Sequence, residues 1–525
     1  MDKGPAESKE DRGAPNPSWP PFRETPSLAR RYSLKLLSNV ATVPLFLLLE
    51  MILPRALGPV AYGNFSFATG FFQNLMNFLD MGASTCLQTT LAKRPEEFGL
   101  VAFYARLALF LLLICLLAGL LLQIPEVGGW FMPAVPLWLA VPSALWAFLS
   151  WAGRAARGLN DALGLTTRSE LIRLLVNLLS ALALLGLFLG GFLDTLVFFG
   201  HQYVFLSAAL AGFLLIPRRV WPVRAWRMSP EDLRGYAGEF RHFCAPLFAV
   251  ALCSLLALTG ERWLLQLFEG SVEQGYFSLG QKAGMACFLF VTAMTPLLMR
   301  ELAVAHGKNN PQEMGRLMDR FAPMLYGVAA WFSCFLAVEA PAVVLVLGGA
   351  EFAGAMAAVR IMALYPVHQS YGQVVASVYY AAGETRALRN ITLISLAGGF
   401  LCAWALLAPA DRGGLGLGAL GLAIKMTLIQ AVTVNLLLFT CRRLIPFNLR
   451  RNLLHQVFCP LCLFALALAA GTASAALSAQ DSLGRLCLSA AVYALLTLGA
   501  VWACPFILGA RREDILALIR RFRAV

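Results

Sequence analysis

Four positively charged side chains lie inside apolar runs long enough to cross a membrane: Arg106, Lys282, Arg360 and Lys425. A charge at mid-bilayer costs about 2.5–3.5 kcal/mol on insertion scales, so such residues usually face a bundle interior or a water-filled cavity. Lys282, Arg360 and Lys425 all lie roughly 10–16 Å from the outer edge of the bilayer at about 1.5 Å per residue. We therefore predict a cationic cavity that binds an anionic substrate. For each residue alone, snorkelling or a private ion pair is the alternative.

Three polar residues of the second apolar run share one helix face. Asn74, Asn77 and Asp80 follow one another at a spacing of three residues, which places their side chains side by side on a helix. We interpret them as a polar seam directed towards the cavity. Hydrogen bonding between packed helices is the alternative interpretation.

A nine-residue motif occurs twice, at an offset of 212 residues. The segments from Gly58 to Ser66 and from Gly270 to Ser278 share Gly, Val, Gly, Phe and Ser at equivalent positions. Each joins an odd-numbered span to an even-numbered one on the outer side, as expected of parallel repeats. The offset makes Glu50 equivalent to Arg262. We predict that these two side chains form an ion pair between the halves when the outer gate is closed.

The elements that carry these residues are membrane helices. The chain is 59% hydrophobic and 14% charged, whereas soluble domains are roughly 45–50% apolar and 25% charged. Apolar runs of about 20 residues, the length of a spanning helix, begin near residues 33, 64, 99, 131, 169, 194, 240, 275, 318, 351, 389, 414, 453 and 484. We predict an all-α polytopic membrane protein of about 14 transmembrane helices.

The basic residues are confined to alternate connections between these runs. The other connections contain only Arg55, Arg412 and Arg485 among lysines and arginines. The positive-inside rule then makes both termini cytoplasmic in a multi-pass protein. The formal net charge of +13 reflects this topology, and we expect no nucleic-acid partner.

These patterns divide the chain into two six-helix lobes, with two extra helices. The predicted segments are a disordered cytoplasmic tail (1–32), an N-terminal lobe (33–217), a cytoplasmic linker (218–239), a C-terminal lobe (240–443), helices 13 and 14 (444–509) and a basic amphipathic cytoplasmic segment (510–525).

No constellation of residues suggests catalysis. The five histidines are scattered and the twelve cysteines lie mostly inside apolar runs, so we predict no metal site and no cofactor. The short external connections leave little room for an enzyme site. They argue against a membrane glycosyltransferase or ligase, the alternative from a different functional class.

Several motifs resemble the polysaccharide-export and O-antigen flippases of the multidrug/oligosaccharidyl-lipid/polysaccharide (MOP) exporter superfamily. The resemblance covers about residues 33–400. It rests on Arg55-Ala-Leu-Gly-Pro59, Tyr62-Gly-Asn-Phe-Ser66, Leu79-Asp-Met-Gly82, Gly275-Tyr-Phe-Ser278, Thr295-Pro296 with Arg300, and Ala381-Ala-Gly-Glu-Thr-Arg386.

The resemblance implies two six-helix lobes around a central cavity and a function in surface polysaccharide synthesis. Such a protein moves an oligosaccharide repeat unit on undecaprenyl pyrophosphate across the bacterial cytoplasmic membrane by alternating access, often coupled to a proton or sodium gradient. Membrane lipids, a polysaccharide polymerase and the export machinery are the expected partners. A lipid II flippase or a multidrug exporter of the same superfamily is the alternative.

The cationic cavity leads to a prediction about variants. Replacing Lys282 or Lys425 with glutamine should leave the protein inserted and folded but reduce transport, because the anionic substrate loses an attractive charge.

Overall fold

Helices form the regular structure throughout the part of the chain described by the computed structural model, which comprises residues 28–95, 97–217, 229–477 and 482–509. A backbone in hydrocarbon has no water to bond, so an apolar chain satisfies its N–H and C=O groups within helices. The predicted tail at 1–32 falls outside the described residues as far as residue 27. The predicted amphipathic segment at 510–525 lies outside them entirely.

Seventeen helices follow one another in the described residues. They are α1 (Leu28–Asp80), α2 (Ala83–Lys93), α3 (Phe98–Leu121), α4 (Pro125–Phe131), α5 (Ala140–Ala162), α6 (Thr166–Leu189), α7 (Thr195–Leu215), α8 (Pro230–Cys244), α9 (Phe248–Gly307), α10 (Pro311–Val338), α11 (Ala340–Gly348), α12 (Met356–Met362), α13 (Tyr365–Ala381), α14 (Thr385–Leu407), α15 (Gly418–Cys441), α16 (Leu449–Leu477) and α17 (Ser482–Ala503).

Two of these helices are too long for one crossing. α1 has 53 residues and α9 has 60, and each is interrupted by a glycine with non-helical backbone angles, Gly58 and Gly270. Ten helical stretches are long and apolar enough to span a membrane. These ten stretches include α9 once. A second crossing for α9, two crossings for α1 and one for α5 bring the total in the described residues to fourteen. The predicted all-α, multi-pass membrane fold is confirmed.

The fourth crossing begins later than expected. The apolar run suggested a start near residue 131, but α5 begins at Ala140. Pro133 and Pro136 lie between the two positions, and proline cannot supply the backbone N–H that a continuing helix needs. The apolar residues Trp130 and Phe131 belong instead to the short helix α4 and are exposed.

Because successive crossings alternate in direction, the bundle has two ends. We call the end that contains Gly58 and Gly270 the kink face. We call the opposite end, which carries α2, α8 and the connections at 308–310 and 442–448, the basic face.

The predicted linker at 218–239 contains part of a helix on the basic face. Residues 218–228 lie outside the described part, and α8 follows with a capping box between Ser229 and Asp232. Glu239 of α8 accepts a hydrogen bond from Arg94 at 2.5 Å, and Tyr236 donates to Glu97 at 3.0 Å. Burial and this contact with Glu97 raise the pKa of Tyr236 to about 12, so the phenol remains a donor. α8 is thereby fixed to the connection between α2 and α3.

The last two crossings pack on α10. Tyr493 of α17 stacks on Trp331 of α10 with 5.5 Å between ring centres. Glu339, at the end of α10, is buried and accepts a hydrogen bond from Ser489 at 2.6 Å. Helices α16 and α17 are therefore docked against the second half of the chain by aromatic and polar contacts.

Candidate functional site

The two copies of the repeated motif pack against each other at the kink face. Gly58 and Gly270 have positive φ angles of 72° and 81°, so the two helices break at equivalent positions. A methyl group on Gly63 would collide with the carbonyl of Ser271, and one on Gly275 would collide with the carbonyl of Pro59. Only glycine allows backbones to approach so closely. The repeated glycines thus close the bundle at this end.

Hydrogen bonds between the copies extend this contact. Ser66 donates to Ser278, its equivalent at the offset of 212, at 2.5 Å. Ser271 donates to Asn64 at 2.6 Å. We call the contact formed by residues 59–66 and 271–278 the kink seal.

A polar pocket lies directly beneath the kink seal. It has a volume of about 180 Å³, and both halves of the chain contribute to its wall. Its charged and polar lining residues include Glu50, Ser66, Gln73, Arg262, Gln281 and Lys282. We call it the central pocket.

Glu50 pairs with Lys282 and not with Arg262, so the predicted partner was wrong for this conformation. The Lys282 ammonium lies 2.6 Å from the Glu50 carboxylate. Arg262 instead donates to Gln281 at 2.6 Å and to the hydroxyl groups of Ser66 and Ser278 at 3.4 Å. The serines of the kink seal therefore draw the guanidinium away from Glu50. Glu50–Lys282 is thus an ion pair between the two halves.

Lys425 is buried in an ion pair that the sequence did not reveal. It hydrogen-bonds Glu261, and only 6% and 4% of the two side chains are exposed. About one helical turn along from Glu261 and Lys425, Leu265 of α9 and Leu422 of α15 are buried in one hydrophobic cluster with Leu407 of α14. The carboxylate offsets the charge that was expected to attract substrate.

The remaining two predicted cations have separate surroundings. Arg360 on α12 is exposed and donates to the carbonyl of Ala337 at 3.1 Å. Arg106 is exposed on α3. Of the four predicted cations, only Lys282 lines the central pocket. The expected single chamber of Lys282, Arg360 and Lys425 is not formed in this conformation.

The three members of the predicted polar seam make different contacts. Asn74 donates to Thr259 of α9 at 3.3 Å, and Asn77 accepts from Gln73 at 3.3 Å. Asp80 accepts hydrogen bonds from Ser84 and from Trp151, at 2.6 and 3.0 Å to the side chains. Asp80 therefore ties α1 to α2 and α5, while Asn74 links the two halves.

The described residues contain no group of three or more His, Cys, Asp or Glu residues placed to hold a metal ion. The site is a set of ion pairs and hydrogen bonds at a helix junction. Such groups can bind and release charged molecules as the helices move.

The sequence comparison identifies the family. A family model described as polysaccharide biosynthesis protein matches residues 28–297, more than half of the chain. The chain belongs to this family. The resemblance inferred from its motifs is thereby confirmed. No curated protein matches the sequence.

Two solved structures share the fold of this polysaccharide biosynthesis protein. The lipid II flippase MurJ in an inward closed conformation aligns with a TM-score of 0.62 at 10% identity, covering 90% of this chain and 99% of that one. An inward-facing multidrug resistance transporter of the MATE family, in the MOP superfamily, aligns with a TM-score of 0.54 at 15% identity, covering 80% and 94%. At such low identities the likeness shows the fold alone.

Glu261 is the charged residue of this family member that the sequence reasoning missed. It precedes Arg262 inside an apolar run, and an intramembrane carboxylate was a usable signal for a buried partner of Lys425. Its distance of 164 residues along the chain from Lys425 concealed the pairing.

Proposed function

We propose that this protein translocates an undecaprenyl-pyrophosphate-linked oligosaccharide across the bacterial cytoplasmic membrane by alternating access, with both termini in the cytoplasm. The observation that carries the proposal is the kink seal closing one end of the bundle above a charged pocket shared by both halves. The family match to polysaccharide biosynthesis proteins supports a sugar-containing cargo.

The central pocket has the charges to receive a pyrophosphate. Lys282 and Arg262 supply two cations against the single carboxylate of Glu50. Lys282 is 45% exposed, so a phosphate oxygen can compete with Glu50 for its ammonium. Charge-assisted hydrogen bonds of this kind are about twice as strong as neutral ones. Substrate binding would then loosen the ion pair that joins the halves.

The size of the pocket and the position of the seal support alternating access. Ligand pockets usually measure about 300–1,000 Å³, and the central pocket measures 180 Å³. An oligosaccharide therefore requires the halves to separate. In our proposal they first open towards the basic face, and release follows when the kink seal parts. Coupling of this cycle to a proton or sodium gradient belongs to the proposal.

The closest competing function within the fold is transport of lipid II, the cargo in the name of the MurJ structure. Both cargoes are lipid-linked pyrophosphates, so the central pocket alone does not distinguish them. A membrane glycosyltransferase or ligase is the different-class alternative, and the shared fold of two transporters counts against it.

A gene deletion separates these functions. If our proposal is correct, the deletion strain accumulates a lipid-linked oligosaccharide repeat unit on the inner leaflet, and its surface polysaccharide decreases. Accumulation of lipid II instead would identify the peptidoglycan precursor as cargo. Normal levels of both lipids, with a missing sugar linkage in the polysaccharide, would identify an enzyme.

A further inference from the structure

A large groove opens on the basic face, between α10, α16 and the connection from α15. Its volume is about 1040 Å³, and its lining includes Asp319, Arg442, Arg450, Leu453, Leu454 and Val457. None of these residues lines the central pocket. The groove is thus separate from the site proposed for transport.

Two arginines at the groove are available to a ligand. Arg442 and Arg450 are exposed, and neither has an ion pair or hydrogen bond among the described residues. The neighbouring Arg451 differs, because its guanidinium lies over the ring of Phe506 at 5.8 Å. Arginine binds phosphate with two parallel hydrogen bonds, so the pair can hold a phosphate group.

The one carboxylate in the groove is already engaged. Asp319 accepts hydrogen bonds from the backbone N–H of Asn448 at 3.2 Å and from the Asn452 amide at 2.8 Å. These contacts hold the Asp319 carboxylate at the first turn of α16 and offset part of its negative charge. The groove retains a positive rim.

The floor of the groove is apolar and belongs to a membrane-spanning helix. Leu454 and Val457 on α16 are 57% and 61% exposed. On a spanning helix such side chains face lipid hydrocarbon. Basic pockets beside transmembrane helices bind the head groups of anionic lipids.

We infer that this groove binds an anionic diacyl phospholipid. Its phosphate lies between Arg442 and Arg450, and an acyl chain follows Leu453, Leu454 and Val457. The positive rim matches the phosphate of such a lipid, and the apolar floor matches its acyl chain. The inference does not depend on the cargo that the protein transports.

Lipid binding to the purified, delipidated full-length protein tests this assignment. Native mass spectrometry measures binding of dioleoylphosphatidylglycerol and of dioleoylphosphatidylcholine to the protein and its variants. We expect the anionic lipid to bind at least fivefold more tightly, and the Arg442→Gln/Arg450→Gln variant to lose that preference. Arg443→Gln is the matched control, because Arg443 is exposed beside Arg442 but does not line the groove. An equal loss in Arg443→Gln, or an unchanged preference in the double variant, overturns the site.

A pocket-filling variant tests the apolar floor independently and serves if the arginine variant misfolds. Val457→Trp should weaken phosphatidylglycerol binding severalfold. Leu461→Trp, on the same helix but outside the groove, should not. Equal effects of the two tryptophans would contradict the groove as the binding site.

Competition with undecaprenyl pyrophosphate tests whether the phosphate bound in the groove belongs to a membrane phospholipid or to the lipid carrier of the proposed substrate. Our inference predicts that phosphatidylglycerol remains bound at equal concentrations of the two lipids. Displacement of phosphatidylglycerol from the wild-type protein at equal concentrations would show a substrate site and refute the phospholipid assignment.

Discussion

Lys425 and Glu261 are a buried pair whose main effect should be on stability. Removing one partner of a buried pair leaves an uncompensated charge and costs about 3–5 kcal/mol. We therefore expect Lys425→Gln to lower the thermal stability and the membrane abundance of the protein. This replaces the sequence-based expectation that Lys425→Gln leaves folding intact, because the partner Glu261 was then unknown.

A double replacement provides the control for Lys425. Lys425→Met combined with Glu261→Leu removes both charges and should recover most of the lost stability, since apolar replacements of buried pairs are often neutral. The measurement is the midpoint of thermal unfolding in detergent. An unchanged midpoint in Lys425→Gln would mean that the pair is not buried in the membrane.

The Glu50–Lys282 pair, in contrast, should affect transport more than stability. Lys282 is 45% exposed and Glu50 12%, so solvent screens this pair more than the Lys425–Glu261 pair and its contribution to stability is smaller. Lys282→Gln should therefore fold normally and transport poorly. Reversing both charges, Glu50→Lys with Lys282→Glu, should retain more transport than either single reversal. The matched control is the reversal of Glu50 and Arg262 together, which should not rescue transport. The reverse ranking of the two double variants would restore the originally predicted Glu50–Arg262 partnership.

At the scale of helices, the repeated motif was the most informative part of the sequence. It predicted a connection between two spans at each copy, and the structure has a helix kink at these positions, at Gly58 and at Gly270. The sequence also contains a signal for the start of α8, because Ser229-Pro230-Glu231-Asp232 is typical of a helix N-terminus. The segment was nevertheless interpreted as a linker. Side-chain partners were not predictable. Arg262 donates hydrogen bonds to Ser66 and Ser278, and these two side chains lie together only after the two copies of the motif have packed.

The glycines of the kink seal lead to a prediction about the transport cycle. Gly63→Ala introduces a methyl group where the Ser271 carbonyl lies, and overpacking of this kind typically costs about 1–3 kcal/mol. A penalty of about 1.4 kcal/mol on the sealed state reduces its relative population tenfold. We expect transport to fall by roughly that factor at normal abundance. Gly200→Ala is the control, because nothing lies within 4 Å of the added methyl group. Equal transport by both variants would mean that the seal does not limit the cycle.

At the scale of the whole molecule, fourteen crossings place Leu28 and Gly509, the first and last described residues, on the same side. Charge asymmetry predicts that this side is the cytoplasm. Reporter fusions at Asp232, exposed on α8, and at Val525 should both report a cytoplasmic location. A fusion at Arg412, in a connection of the kink face, should report the outside. An external signal from Asp232 would invert the proposed direction of transport.

Transport by the purified protein is the most direct test of the central claim. Proteoliposomes would contain a fluorescent undecaprenyl-pyrophosphate oligosaccharide, and the measured quantity is the rate at which the label becomes accessible to a membrane-impermeant quencher. The proposal predicts rapid exchange with the wild-type protein, about tenfold slower exchange with Gly63→Ala, and little exchange with Lys282→Gln. Exchange no faster than in protein-free vesicles, with all proteins folded, would contradict the assignment of this protein as a lipid-linked oligosaccharide flippase.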